Sequence, residues 1–269
     1  LQWALDTLGS LESSALEPHA EAVVGELEHR GWQVRRAALK TLGKLDGSLL
    51  TTYAGEVVKR INPKTEENED VRASAWRTLG KLESSVLTSY VRLMKSGLEC
   101  EQYSFVRQAA VRTFGNVDHQ QLFDNEYYLR GFLDDGDVQV QQAAIWTLGK
   151  LVDKDKIARM LVSKIASGDR EVKIAAMVAL GKLNLDILQE YKHVIKGYEK
   201  NENNNLLKQA ASYALFRMDI CPKLESPEVE VQANALYELG NKQAAGFAAE
   251  VVAKLEHLDV TVRRAAMYA

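Results

Sequence analysis

The chain has 269 residues, of which 46% are hydrophobic and 26% charged, and its net charge is −3. That composition supplies a substantial core, and the negative balance excludes a molecule drawn as a whole to nucleic acid or to an anionic membrane. No apolar run approaches the roughly 18 residues needed to span a bilayer, and Cys100 and Cys221 stand alone with no CxxC pair, which favours a reducing intracellular compartment.

A twelve-residue phrase organises the chain. It is VRRAALKTLGKL at Val34 to Leu45, VRASAWRTLGKL from Val71, VRQAAVRTFGNV from Val106, VQQAAIWTLGKL from Val140 and VKIAAMVALGKL from Val172. Weaker copies begin at Leu207 and Val231, and the chain ends inside another, VRRAAMYA, from Val262. The glycine falls at Gly9, Gly43, Gly80, Gly115, Gly149, Gly181 and Gly240, with Phe216 in the equivalent place, at spacings of 34, 37, 35, 34, 32, 35 and 24 residues. Self-similarity at such a period signals a stacked array whose units bury their apolar faces on their neighbours.

Within the first full copy, Val34, Ala37, Ala38, Leu42 and Leu45 form one stripe of a helix. Helices are predicted over 34–45, 71–82, 106–117, 140–151, 172–183, 207–217 and 231–240. Asn68, Asp137, Asp169, Asn204 and Asp259 stand three residues before the apolar start and read as N-caps. The intervening segments carry a second amphipathic pattern, as in ALEPHAEAVVGELEH from Ala15, where Pro18 suits a first helical turn. A recurrent glycine costs a helix about 1 kcal/mol relative to alanine, so its retention points to close helix approach. The lysine after it (Lys44, Lys81, Lys150, Lys182) suits a helix C-terminus.

The phrase, after an Asp- or Asn-rich turn, resembles the HEAT repeat, and its short period resembles the HEAT-like repeats of phycobilisome lyases. The resemblance covers nearly the whole chain. It implies an all-α fold, a right-handed α-solenoid of about eight helix-pair repeats in a single array over 1–269. The 24-residue spacing, with CPKLESPE from Cys221 in place of a first helix, predicts a degenerate repeat near 217–230. Both ends fall inside a repeat, at Leu1 and Ala269, and no polar capping face is visible, so the array is expected to be a piece of a longer one.

Motifs for chemistry are not found. His19, His29, His119, His193 and His257 are scattered without metal-ligand spacing, and no phosphate-binding glycine loop occurs. The acidic turn Asn62 to Asp70 and the Asn-rich turn Glu199 to Asn205 read as solvated loops. No catalytic, cofactor or metal site is assigned.

What varies on the second helix is the face opposite the packed stripe. Its middle column reads Lys40, Arg77, Arg112, Trp146, Val178, Tyr213, Tyr237 and Tyr268, and the column after the glycine adds Lys150 and Lys182. In HEAT-type solenoids that helix lines the concave side, so the resemblance implies a groove, basic at one end and aromatic at the other. The column of Arg35, Arg72, Arg107, Lys173, Lys208 and Arg263 is instead expected to bond between repeats, with the capping Asp or Asn as acceptor. The expected function is a non-catalytic scaffold, a segment or subunit of a larger assembly, binding another protein with an acidic surface through this face. The alternative is a phycobilisome-lyase-like chromophore-attachment enzyme or its partner.

Overall fold

The computed structural model describes residues 2–151, 154–201, 203–242 and 247–269, and among them every regular element is a helix. The chain forms two compact units, Leu1–Ala176 and Met177–Ala269. No described helix is long and apolar enough to cross a membrane.

In the first unit the repeated phrase forms the helices Trp32–Leu42, Glu69–Leu79, Ser104–Phe114 and Val138–Leu148, preceded by Gln2–Leu8. Each packs on the next in sequence order. Each complete one begins two residues before the apolar start and ends at the residue before the glycine. The ends come early because the two residues after the glycine close i→i−3 turns: Lys44 N–H reaches Thr41 O at 2.9 Å and Leu45 N–H reaches Leu42 O at 3.0 Å. The starts are set by the caps. Asn68 accepts from Val71 N–H, Asp137 from Gln139 N–H and, in the second unit, Asp259 from Thr261 N–H.

The core is the predicted stripe. Val34, Ala37, Ala38 and Leu42 are buried, as are Val71, Leu79, Val106, Phe114, Val140 and Leu148. Trp76 is also fully buried.

The connecting segments depart from the expectation of one helix each. The stretch from Ala15 breaks into Ser13–Leu16, a 3-10 turn Glu17–His19, Ala20–Gly25 and a second 3-10 turn Glu26–Glu28. Pro18 lies in the first of those turns, where its missing N–H costs no helical bond. Later connectors split at Tyr90 and at Asn125, whereas Gly47–Val58 and Lys154–Ser167 are continuous.

The second unit corrects the sequence reading of residues 217–230. Residues 218–224 are helical rather than a loop, because Asn205–Leu224 is a single 20-residue helix that turns directly into Val229–Asn241 with no separate first helix between them. Phe216 occupies the place of the terminating glycine, so nothing stops the helix at 217. Its extension does the packing of the shortened connector: Ile220 and Leu224 join Leu236, Phe247 and Val262 in one buried cluster. Pro222 lies inside the last turn of this helix, where it gives up the bond to the carbonyl four residues back.

Candidate partner interface

The register of the first unit is fixed by a column that sequence reading passed over. Thr41 donates to Leu5 O (2.9 Å), Thr78 to Leu39 O (2.8 Å), Thr113 to Trp76 O (2.8 Å) and Thr147 to Val111 O (2.9 Å), all in buried surroundings. Every bond joins the same two positions of successive phrases. At Gly9, Gly43, Gly80 and Gly115 the absent Cβ leaves room for this hydroxyl, whereas Gly181 faces Ala214 instead. A Cβ on Gly80 would lie 3.2 Å from Thr113 Oγ1, and one on Gly115 would lie 3.0 Å from Thr147 Oγ1.

Of the column of Arg35, Arg72, Arg107, Lys173, Lys208 and Arg263, the first three bond between repeats, whereas Arg263 bonds carbonyls of its own preceding turn, and the acceptor of the three is a correction. It is not the capping Asp or Asn; it is the acid two residues before the cap. Arg35 binds Glu66 through Nε (2.7 Å) and Nη2 (2.6 Å), Arg72 binds Glu101 (2.7 and 3.0 Å), and Arg107 binds Asp135 (2.8 Å each). The third guanidinium nitrogen turns to carbonyls five and six residues back, from Arg72 to Glu66 O (2.9 Å) and Glu67 O (2.8 Å). Asn68 and Asp137 use their side chains on their own helices, and the cap Tyr103 offers no side-chain acceptor there. The acid accepts in addition from the backbone N–H of the cap residue, as Glu101 does from Tyr103 (3.0 Å). These bidentate bonds push the Arg35 and Arg107 guanidinium pKa values up, Glu66 and Asp135 being the largest causes. Gln141 and Gln232 stand in the same column and donate to Asp135 O and Ser226 O, a role that their residue type hid.

The histidines take the place of the acid in two turns. His29 Nδ1 accepts from Gly31 N–H (2.9 Å) and His257 Nδ1 from Asp259 N–H (3.1 Å).

The column after the glycine is shared between repeats. Lys81 donates to Gly43 O, Lys150 to Gly115 O (2.6 Å) and Asn116 Oδ1 (3.1 Å), Asn116 to Gly80 O (2.9 Å), and in the second unit Arg217 to Gly181 O (2.8 Å). Each satisfies a carbonyl left open at the end of the preceding helix. Burial lowers the Lys81 and Lys150 pKa values. Lys182 is exposed.

With these columns engaged, the middle column is what faces outward. In the first unit Lys40, Arg77 and Arg112 are exposed, and none has a carboxylate partner among the described residues. Trp146 continues the row, 50% exposed, with the Lys150 ammonium 3.8 Å from its ring centroid. The threonine ladder holds these four side chains at one register on successive packed helices, at the roughly 10 Å steps of helix packing.

The second unit presents a different set. Val178 is 39% exposed, and Tyr237 is exposed with its ring 5.4 Å from that of Tyr268. Tyr213 turns inward, 5.8 Å from Phe247, and lies against the buried cluster. Of the nine residues singled out from sequence, Lys150 and Tyr213 are therefore largely engaged within the chain.

No protein-family model matches the chain, and no curated protein matches it in sequence. It is similar in structure to a chain of a homology model of the full-length AP-3 complex in an intermediate open conformation, with a TM-score of 0.58 at 14% identity. The match covers 99% of this chain and 53% of the other, so this chain spans about half the length of its structural neighbour. At that identity the likeness concerns the helical fold alone.

Proposed function

We propose that this chain is a segment of a non-catalytic HEAT-type α-solenoid scaffold that binds an acidic protein segment through the row Lys40, Arg77 and Arg112, with Trp146 as an apolar anchor. The observation that carries the reading is the row itself. Three cations stand on consecutive helices at one register, without carboxylate partners among the described residues, on a chain whose net charge is −3. A local concentration of one sign against the balance of the chain raises encounter rates and fixes orientation. Carboxylates three residues apart on an extended strand repeat at about 10 Å, which matches the packing distance of the helices that present the cations. Exposed aromatic residues supply the buried anchors of protein interfaces, and Trp146 is the large ring available in this row.

The fold likeness to a chain of the AP-3 complex adds support for a place in a multi-subunit assembly. The repeated phrase and its packing of each helix on the next support the solenoid reading. The reading assigns no catalysis, cofactor or metal, and takes the partner to be protein rather than nucleic acid.

The test is cross-linking of the purified chain in a native extract followed by mass spectrometry. Wild type is compared with Lys40→Glu/Arg77→Glu/Arg112→Glu and with Trp146→Ala, after circular dichroism shows unchanged helicity. Partners cross-linked at 40–112 in wild type are expected to be lost with the charge reversal and weakened with Trp146→Ala. Retention of the same cross-links in both variants would sink the reading.

A further inference from the structure

The connecting helices of the first unit enclose a second feature, away from the middle column. Between Val91–Glu99, the pair Glu126–Arg130 and Gly131–Asp134, and Lys154–Ser167 lies an open depression of about 1080 Å³. Its rim carries five cations, Lys95, Arg130, Lys156, Arg159 and Lys164, against two acids, Glu99 and Asp134. Three of the cations are engaged: Lys156 with Glu126 at 2.8 Å, Arg130 with the same carboxylate at 3.7 Å, and Lys164 with Asp134 at 2.6 Å. Arg159 is exposed and Lys95 half-buried, and neither has a carboxylate partner among the described residues. Lys95 instead holds its ammonium 4.8 Å from the Tyr128 ring centroid.

The floor is apolar. Leu133 is buried, Met160 is half-buried, and the Tyr128 ring stacks edge-on against Phe132 at 5.5 Å. The Tyr128 hydroxyl is buried without a hydrogen-bond partner among the described residues. Apolar lining side chains beside two cations that have no carboxylate partner among the described residues fit a ligand with an apolar side chain between negative charges. A small polyanion would meet the cations and leave the floor empty.

We propose that this depression is a docking site for a short acidic peptide segment of a partner protein. The segment places one aromatic or aliphatic side chain on Leu133, Met160 and Tyr128, and flanking carboxylates against Lys95 and Arg159. Occupancy desolvates the two cations together with their new partners, which makes each charge-assisted bond stronger than at open surface. Binding here is independent of the row on the repeat helices, so either site can fail without the other.

The experiment uses the full chain and a fluorescein-labelled peptide of sequence Asp-Glu-Asp-Phe-Asp-Glu-Asp, read by fluorescence anisotropy at low and moderate salt. Saturable binding is expected, weakening with salt. Lys95→Glu and Arg159→Glu should each raise Kd about tenfold or more, the scale of one lost charge-assisted contact. Neither side chain has a carboxylate partner among the described residues, and Lys95→Glu gives up only the contact of its ammonium with the Tyr128 ring, so circular dichroism should match wild type. Replacing the central Phe by Ser should weaken binding several-fold, and the triple reversal at Lys40, Arg77 and Arg112 should leave Kd unchanged. The proposal is overturned if the peptide does not bind, or if binding survives Lys95→Glu and Arg159→Glu. It is equally overturned if binding is lost in the triple reversal instead. Tight binding of sodium tripolyphosphate with no preference for the Phe-containing peptide would assign the depression to small anions and overturn it too.

Discussion

The two units are written in the same apolar spelling and held by different chemistry. In Leu1–Ala176 the successive repeat helices share four buried threonine-to-carbonyl bonds and three bidentate arginine–carboxylate pairs. In Met177–Ala269 the threonine positions are Ala179, Ala214 and Glu238, and Arg263 bonds carbonyls alone, His257 O at 2.7 Å and Leu258 O at 2.8 Å. There the aromatic side chains take over. Phe216 and Phe247 meet edge-on at 5.7 Å, and Tyr213 joins them. The lesson is that an apolar stripe sets which helices pack, while the directional bonds beside it decide how narrowly one register is selected. A regular row of exposed side chains, such as Lys40, Arg77 and Arg112, needs that selection. The comparison has a ready probe, because all four tryptophans, Trp3, Trp32, Trp76 and Trp146, lie in the first unit. Tryptophan fluorescence therefore reports that unit alone.

The largest effect should come from the most buried ion pair. The side chains of Arg72 and Glu101 are 3% and 0% exposed. Arg72→Ala would leave a buried carboxylate with one backbone N–H and no cation, at a cost of roughly 3–5 kcal/mol. Arg263→Ala in the second unit removes neutral-acceptor bonds from a partly exposed site and should cost about 1 kcal/mol. Urea unfolding followed by tryptophan fluorescence and by far-ultraviolet circular dichroism separates the two. Equal losses would break the comparison, since they would mean that the staples contribute no more than ordinary hydrogen bonds.

These staples also mark where sequence reading stopped. The arginines were legible as an inter-repeat column because a cation recurs at Arg35, Arg72 and Arg107 in a helix position unfavourable for one. The acceptors were not, because that column is spelled Glu66, Glu101 and Asp135 in three turns and His29, Ser226 and His257 in others. One geometric task, accepting the N–H of the cap residue, is met by four residue types, so no consensus forms. The lysines after the glycine read as charges for their own helix end, whereas Lys81 and Lys150 reach the end of the previous one. Phe216 was visible as a missing glycine, but its consequence, a helix running through Pro222, depends on the tertiary cluster that Ile220 and Leu224 join. The breaks at Tyr90 and Asn125 carry no Gly or Pro signal at all. The middle column was legible as exposed, and Tyr213 departs from it because Phe247, thirty-odd residues on, offers a ring to pack against.

A smaller effect should sharpen the role of the threonine ladder. The backbone of Gly80 is helical, so alanine there meets only the steric limit of Thr113 Oγ1 at 3.2 Å. Gly80→Ala should cost about 1 kcal/mol, as overpacking outweighs the gain in helix propensity. Thr113→Ala alone should cost about 1 kcal/mol through the lost bond to Trp76 O. The double variant should be less destabilised than the sum by 0.5 kcal/mol or more, on the order expected for residues in contact. Additive losses would show that glycine and threonine do not share the space assigned to them.

The smallest effect is a pH dependence, and it too differs between the units. Asp46, Asp118 and Asp137 in the first unit and Asp259 in the second hold carboxylate pKa values below the ordinary 3.8. The leading causes are the backbone N–H of Leu49 for Asp46, that of Gln121 for Asp118, the Ser104 side chain for Asp137 and the N–H of Thr261 for Asp259. A folded value below the unfolded one means that the ionised caps stabilise the fold fully above pH 3.8. That contribution is lost as pH falls from there through the folded values. Three such groups against one predict that the tryptophan-reported transition is the more acid-sensitive. Asn in place of Asp keeps the accepting oxygen and removes the titration. Asp46→Asn/Asp118→Asn should therefore unfold near the wild-type urea midpoint at pH 7, yet lose less of that midpoint between pH 4.5 and pH 3. Asp259→Asn should leave the fluorescence midpoint unchanged at both pH values, while the dichroism midpoint becomes slightly less acid-sensitive. If the double variant loses its midpoint as steeply as wild type, the caps do not set the acid response, and the buried carboxylates of the staples would be the next groups to replace.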